Sequence, residues 1–366
     1  MPSIEESDCF LNPVLNSAFF INRNSKHVSI PQEGVEKAAR LIYRNMKARK
    51  YSTAIWKQHP LNPKVADKSA VEWIFLVDLL NFSFWSDIDT VDSSAPHPDR
   101  YAVTFEGTSY TGYWSLCAAV NRALKEGIPI TSPTFYGREA TDDLLRHVFR
   151  SDTKEAMPLL EERIAVLREA GNILCENFEG QFLKCIEQAN KSALKLLELI
   201  VQNFPCFRDE HCYMGRTVKF YKRAQILIAD IWACFEEKDY GEFHDIGQLT
   251  MFADYRVPQA LYHMGALQYS NHLLNILHNH IPLPLGSTEE IEIRGNSIWV
   301  VELIRRKILT KIRRDMARAK MRSGKRRRFP RFKVNSILLD FYIWDYAKET
   351  QSIEKIPCHR TRSIFY

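Results

Sequence analysis

The chain has 366 residues, 45% hydrophobic and 26% charged, ordinary values for a globular protein that exclude wholesale disorder, a collagen repeat and a disulfide scaffold. Its net charge of +6 is unevenly placed: Arg305 to Lys333 holds 15 Lys/Arg and one acid, Asp315, so that stretch carries +14 and the remainder −8. A basic chain suggests a polyanion partner, but here the suggestion applies to one segment of a mildly acidic molecule.

Taken in chain order, residues 1–30 read as an N-terminal extension. The opening Met-Pro-Ser-Ile-Glu-Glu-Ser-Asp-Cys lacks the basic-then-apolar pattern of a secretory signal and the Arg-rich look of a transit peptide, which predicts a cytoplasmic or nuclear protein. No run reaches the roughly 18 apolar residues that a bilayer span needs, so no membrane association is expected. The eight cysteines contain no C-x-x-C pair and are expected to be reduced. After Pro31, the residues Val35, Ala38, Ala39, Ile42 and Met46 fall on one helical face. Residues 71–82 predict a buried helix, and Trp114 to Glu126 another that stops at Gly127. An exposed loop is expected over 85–100. Alternation in Tyr101-Ala-Val-Thr-Phe105 and Thr108-Ser-Tyr-Thr-Gly-Tyr113 around Glu106-Gly107 predicts a β-hairpin. Long amphipathic segments follow at 157–177, 182–203 and 217–236, with shorter ones at 256–267, 270–280, 296–322 and 335–348. Glu290-Ile-Glu-Ile-Arg294, ending at Gly295, reads as a second β-like piece. The fold class is mainly α, with 31–366 as a single unit and 305–333 as a basic, insertion-like segment.

Sequence patterns for phosphate cradles, dinucleotide binding and the hydrolase nucleophile elbow are absent. His272, His278 and His280 cluster without cysteine or carboxylate spacing, and the reading is surface histidines with no metal and no cofactor. Cys358-His359 would need an oriented base to act as a nucleophile. The acids set among apolar residues are more informative: Asp230, Asp254, Asp340 and Asp345. Such a carboxylate is desolvated unless paired, which marks a functional candidate, although Asp254 equally suits an N-cap before Pro258 and Asp345 a pair with a nearby Lys. Aromatics cluster beside them: Phe82, Phe84 and Trp85; Tyr110, Tyr113 and Trp114; Phe341, Tyr342, Trp344 and Tyr346. Rings beside carboxylates suit a flat polar ligand, and rings at helical spacing equally suit a core.

Several strings in order resemble one family. They are His59-Pro-Leu-Asn-Pro63, Val71-Glu-Trp-Ile-Phe75, Leu80-Asn-Phe-Ser-Phe-Trp-Ser86, Tyr110-Thr-Gly-Tyr-Trp-Ser-Leu-Cys-Ala-Ala119, Phe220-Tyr-Lys-Arg-Ala-Gln-Ile-Leu227, Met251-Phe-Ala-Asp-Tyr-Arg-Val-Pro258, Glu292-Ile-Arg-Gly295 and Asn335-Ser-Ile-Leu-Leu-Asp340. The chain resembles the queuosine 5′-phosphate N-glycosylase/hydrolase family of queuosine-salvage proteins from about residue 10 to the C-terminus. The resemblance implies hydrolysis of the N-glycosidic bond of queuosine 5′-monophosphate, a small-molecule nucleotide, to queuine and ribose 5-phosphate, with queuine returning to tRNA. It implies a helical fold similar to helix-hairpin-helix DNA glycosylases. Carried onto this chain, the catalytic residues are Asp254 and Lys222, and the substrate-binding residues are His59, Phe252, Asp340, Phe341, Trp344 and Asp345.

The implied chemistry suits those residue types. Glycosidic cleavage places positive charge on the ribose, and a carboxylate such as Asp254 beside C1′ stabilises it. A 7-deaza base has no N7 to protonate, so Asp340 or Asp345 is expected to accept from its guanine-like N–H edge, and Lys222 to hold the phosphate or the attacking water. Three features depart from the family: Phe341 replaces a usual tyrosine, Pro60 follows His59, and 305–333 is longer and more basic. The alternative, from another class, is an RNA- or DNA-binding protein or a polymer-acting glycosylase that uses 305–333. The acidic remainder weighs against it, because polymers are usually met by a broad basic face.

Overall fold

The computed structural model describes residues 11–88, 97–323, 333–350 and 356–366. Within these, helices dominate, and the strands form three antiparallel pairs. In chain order the elements are α1 (Pro13–Asn24), β1 (Val28–Ser29), α2 (Gln32–Arg49), α3 (Lys68–Leu79), β2 (Ala102–Phe105), β3 (Thr108–Thr111), α4 (Tyr113–Lys125), α5 (Asp142–Val148), α6 (Leu160–Asn177), α7 (Leu183–Ala189), α8 (Ala193–Asn203), β4 (Glu210–Tyr213), β5 (Arg216–Lys219), α9 (Lys222–Cys234), α10 (Val257–His263), β6 (Gln268–Tyr269), α11 (Asn271–His278), α12 (Thr288–Ser323) and α13 (Ser336–Glu349). No helix among the described residues is long and apolar enough to cross a membrane. The described cysteines are free thiols.

The chain divides into two compact units that interleave in sequence. Unit 1 comprises the described residues within Met1–Ser52, Glu210–Phe220 and Gly247–Arg360. Its spine is the 36-residue α12, against which α1, α2, α10 and α13 pack. The predicted face of α2 is buried at Val35, Ala38, Ala39, Ile42 and Met46. Residues 290–294 correct the β-like expectation, for they lie inside α12. Glu290, Glu292 and Arg294 are fully buried, so polar residues occur at alternate positions without an exposed face to explain them. Glu290 and Arg294 form an ion pair one helical turn apart, at 3.2 Å. Gly295 is no stop signal: a Cβ there would meet the Ile21 side chain at 2.6 Å, so glycine lets α1 approach α12 closely.

Unit 2 comprises the described residues within Thr53–Asp209, Tyr221–Ile246 and Thr361–Tyr366. Buried helix α3 packs on α9, and α4 packs on the hairpin β2–β3, which pairs Ala102 with Thr111 through Phe105 with Thr108 as the alternation predicted. Gly127 closes α4 at φ +79°. The helix expected over 182–203 is two helices, broken at Asn190 and Lys191, both with positive φ. The helix expected over 217–236 is shorter: 216–219 is β5, paired with β4, and α9 starts only at Lys222. The loop expected to be exposed over 85–100 is corrected at its start, where Trp85 and Ser86 are buried and the Trp85 indole N–H donates to the Thr361 carbonyl at 3.1 Å. Positions 89–96 of that loop lie outside the described residues, as do 1–10 and 324–332 of the N-terminal and basic segments. The described part of the basic segment, 305–323, continues α12.

Candidate active site

Unit 1 collects six of the predicted site residues on two segments. Phe252 and Asp254 lie on the irregular stretch entering α10, and Asp340, Phe341, Trp344 and Asp345 lie on α13, which packs against α10. Pro258 at the second position of α10 needs no hydrogen bond for its nitrogen, so the chain turns into the helix there. Just ahead of it, Oδ1 of Asp254 accepts the Val257 N–H at 2.8 Å and the Arg256 N–H at 3.0 Å. The N-cap expectation is corrected: Arg256 is the N-cap of α10, and Asp254, two residues earlier, closes a side-chain turn onto the chain entering the helix.

The stretch is fixed on both sides by buried charge. Asp340, 5% exposed, accepts the Phe252 N–H at 2.9 Å through Oδ1. Arg294 donates from Nε to the Ala253 carbonyl at 3.1 Å while its guanidinium carbon lies 4.1 Å from the Phe220 ring centroid. His359 is buried nearby in charge terms: burial and the positive Arg294 push its pKa down to about 3, so it stays neutral at physiological pH. The Phe252 and Phe341 rings sit 6.2 Å apart. Phe341, Trp344, Asp345 and Lys348 recur at helical spacing, and the Lys348 ammonium lies 4.0 Å from the Trp344 ring centroid. Asp345 accepts the Tyr51 hydroxyl at 2.6 Å. Burial raises the pKa of Asp345, and that hydrogen bond acts in the opposite direction. No local pattern marks Tyr51, whose partner Asp345 lies 294 residues along the chain; Arg294 has Glu290 within one turn, but the Ala253 carbonyl that it grips is 41 residues away.

Unit 2 holds the other two. Lys222 is the first residue of α9, entered through Tyr221 in the left-handed region at φ 49°. Its buried ammonium donates to the carbonyl and side-chain oxygens of Asn81, at 3.1 and 3.3 Å. Beside it, Asn81 Nδ2 donates to Asp78 Oδ1 at 3.2 Å. Asp78 is 1% exposed, and burial raises its pKa against the pull of Asn81, Lys222 and Arg223. Its position in an apolar run concealed it as a candidate, because Ile74 to Leu80 reads as plain core. His59 stacks on Trp114, with ring centroids 3.3 Å apart and planes inclined by 8°. The following loop is fixed by Asn121, which donates to the Leu61 carbonyl at 2.8 Å and accepts from the Trp73 indole at 2.8 Å. Asp230, also buried, lies on α9.

The chain is similar to known proteins along most of its length. The family model described as "Queuosine salvage protein" matches residues 61–366. A protein of Nematostella vectensis named queuosine 5′-phosphate N-glycosylase/hydrolase is 47% identical over 350 residues, covering 96% of this chain and 97% of the relative. Relatives with the same name from Bos taurus and Schizosaccharomyces pombe are 47% and 42% identical, over 352 and 368 residues, covering 96% and 97% of this chain and 97% and 100% of their own lengths. The ordered strings from His59 to Asp340, the matched family model and this near-complete coverage place the chain in the queuosine salvage protein family.

Proposed function

We propose that this chain is an N-glycosidase that hydrolyses queuosine 5′-monophosphate to queuine and ribose 5-phosphate, on a fold of the helix-hairpin-helix glycosylase type. The observation that carries the reading is 47% identity across 96% of the chain to relatives named for that activity. In this reading Asp254 is the catalytic carboxylate. Its Oδ1 is held by two backbone N–H groups, so the anion is oriented before substrate arrives. A preorganised carboxylate stabilises the oxocarbenium-like ribose more than a mobile one, because little reorganisation is left to the reaction.

Asp345 is the acid we assign to the N–H edge of the base. It is half-buried and already accepts from Tyr51, whereas Asp340 is buried and engaged with the Phe252 main chain, as suits a positioning residue. Phe252, Phe341 and Trp344 supply ring faces for the base, and His59, stacked on Trp114, supplies a planar polar edge. Lys222 is assigned to the phosphate or the attacking water, its ammonium oriented by Asn81. A nucleic-acid role for the basic segment gains no support from its described part. Arg305 and Arg306 pair with Glu302 at 2.7 and 2.6 Å, and Lys307 pairs with Glu36 at 2.7 Å.

Asp254→Asn tests the assignment. With queuosine 5′-monophosphate and its dephosphorylated nucleoside as substrates and released base followed by chromatography, the variant is expected to lose about 10³-fold in kcat. Substantial turnover by a well-folded Asp254→Asn protein would remove Asp254 from the mechanism, and no base release by the wild-type chain would remove the activity.

A further inference from the structure

The start of α12 gathers three side chains that the glycosidase reading does not use: His27, His272 and Glu289. They come from three segments of unit 1. His27 precedes β1, and its backbone is held at both ends: its N–H donates to the buried Glu292 carboxylate at 2.6 Å, and its carbonyl accepts from Ser270 at 2.8 Å. His272 lies in the first turn of α11, which Ser270 caps by accepting the Leu273 N–H at 3.2 Å. Glu289 lies in the first turn of α12.

The three donors converge. Oε1 of Glu289 is 3.1 Å from Nε2 of His272 and 3.8 Å from Nε2 of His27, and each residue offers a ligand atom within 4.8 Å of the others. Nδ1 of His27 lies 3.1 Å from the Ser270 hydroxyl. With Nδ1–H donating to that oxygen, the lone pair of Nε2 faces Glu289, the tautomer a metal requires, and Ser270 is the outer partner that fixes the ring. Two imidazoles and one carboxylate form a donor set for Zn²⁺ with one position left to water, whereas Mg²⁺ and Ca²⁺ prefer oxygen. Tetrahedral bonds of about 2.0–2.1 Å set ligand atoms about 3.3 Å apart, a spacing that the 3.1 Å contact nearly meets; the 3.8 Å contact needs a shift of about 0.5 Å between His27 and Glu289, and the His272 ring, 59% exposed, is free to turn toward His27. Spacing along the chain concealed the group: His272 looked toward His278 and His280, but its neighbours in space are 245 residues before and 17 after it.

We propose that His27, His272 and Glu289 bind a zinc ion that clamps the start of α12 to α11 and to the segment before β1. The test uses the full chain, stripped with a chelator and titrated with Zn²⁺ against a chromophoric competitor, with melting followed in parallel. One equivalent is expected to bind and to raise the melting temperature, without displacement by Mg²⁺ or Ca²⁺. X-ray absorption is expected to report two imidazoles in the shell. His272→Ala, at the most exposed of the three positions, is expected to fold and melt like the metal-free wild type yet bind at least about 100-fold more weakly, and Glu289→Gln to weaken binding similarly. Stoichiometric Zn²⁺ binding that survives His272→Ala would place the ion elsewhere and overturn the proposal. So would the absence of zinc binding together with melting that responds only to pH, which would leave the three groups as an ion pair.

Discussion

The stretch from Phe252 to Asp254 in unit 1 and the stretch from Leu80 to Trp85 in unit 2 are both irregular and both carry strings shared with the family, yet buried charge anchors them differently. In unit 1 the cation that grips the backbone, Arg294, has a buried acid one turn away, Glu290, and the N–H of Phe252 goes to a second acid, Asp340. In unit 2 the anchoring is by cations on carbonyls. Arg163 donates to the Leu80, Phe82 and Pro158 carbonyls, and Arg223 to those of Leu79 and Cys206. The Leu79 and Leu80 carbonyls belong to the end of α3, and the partial negative charge of a helix C-terminus favours a cation there. The Phe82 ring, with its centroid 4.2 Å from the Arg163 guanidinium carbon, adds a polarisable face. A buried guanidinium can thus be balanced by an acid or by a helix end with aromatic faces, and the two solutions differ in what a substitution leaves behind.

Arg163→Met gives the largest expected effect. It takes the Arg163 donor from the Phe82 and Pro158 carbonyls and leaves that of Leu80 only the Phe82 N–H, and is expected to cost about 3–5 kcal/mol, read as a fall in the urea midpoint. Arg294→Met should cost a similar amount because it strands Glu290. Adding Glu290→Met is expected to recover most of the loss, since a well-packed apolar pair often equals a buried ion pair. Recovery in unit 1 without any comparable single-site rescue for Arg163 would sharpen the contrast; failure of the double variant would erase it.

The units also differ in the sign of their pH dependence. His359 in unit 1 titrates near 3 when folded, because of burial and Arg294, against about 6.5 when unfolded. The unfolded state then binds the extra proton, so this contribution is complete above about pH 6.5 and is lost as pH falls toward 3, at up to about 1.4 kcal/mol per pH unit. Glu72 in unit 2 is pushed up to about 7 by burial, despite backbone hydrogen bonds from Phe182 and Leu183. Here the folded state holds the proton longer, so stability is lost as pH rises from about 4.5 to 7. Denaturation across pH 4–8 is expected to show a flatter acid limb in His359→Gln. Glu72→Gln should gain about 2 kcal/mol at pH 8. Parallel curves for wild type and both variants would break the comparison.

What the sequence disclosed follows the same division between local and distant causes. The face of α2 and the hairpin at Ala102 to Thr111 depend on neighbours within a few residues, and each is legible as periodicity or alternation. The strand expected at Glu290 to Arg294 fails for a long-range reason: Glu292 is buried because the N–H groups of Lys26, His27 and Val28 converge on it, which no window of sequence contains. Asp78 was hidden by the apolar run around it. The break at Asn190 is visible only as a backbone angle, although asparagine is a common resident of that region. Periodicity shows which face is buried, whereas the partner of a buried charge is set by the completed fold.

The smallest effect concerns Tyr51, a long-range partner of the face of α13 that we assign to the base. Tyr51 is 5% exposed, its ring meets Tyr342 edge-on at 5.7 Å, and its hydroxyl donates to Asp345 at 2.6 Å. Burial raises the Asp345 pKa and the Tyr51 hydroxyl opposes that rise, so Tyr51→Phe should raise it further. A hydrogen bond to an ionised carboxyl is worth about 1.5–3 kcal/mol at most, and a partly solvated site returns some of that through water. The acid limb of the kcat/KM profile is therefore expected to move up by about one pH unit, with rates at pH 8 changed only a few-fold. The fold should tolerate the change, because the ring and its packing remain. An unmoved acid limb in Tyr51→Phe, with Asp345→Asn still active, would remove Asp345 from base recognition and leave α13 contributing only its aromatic faces.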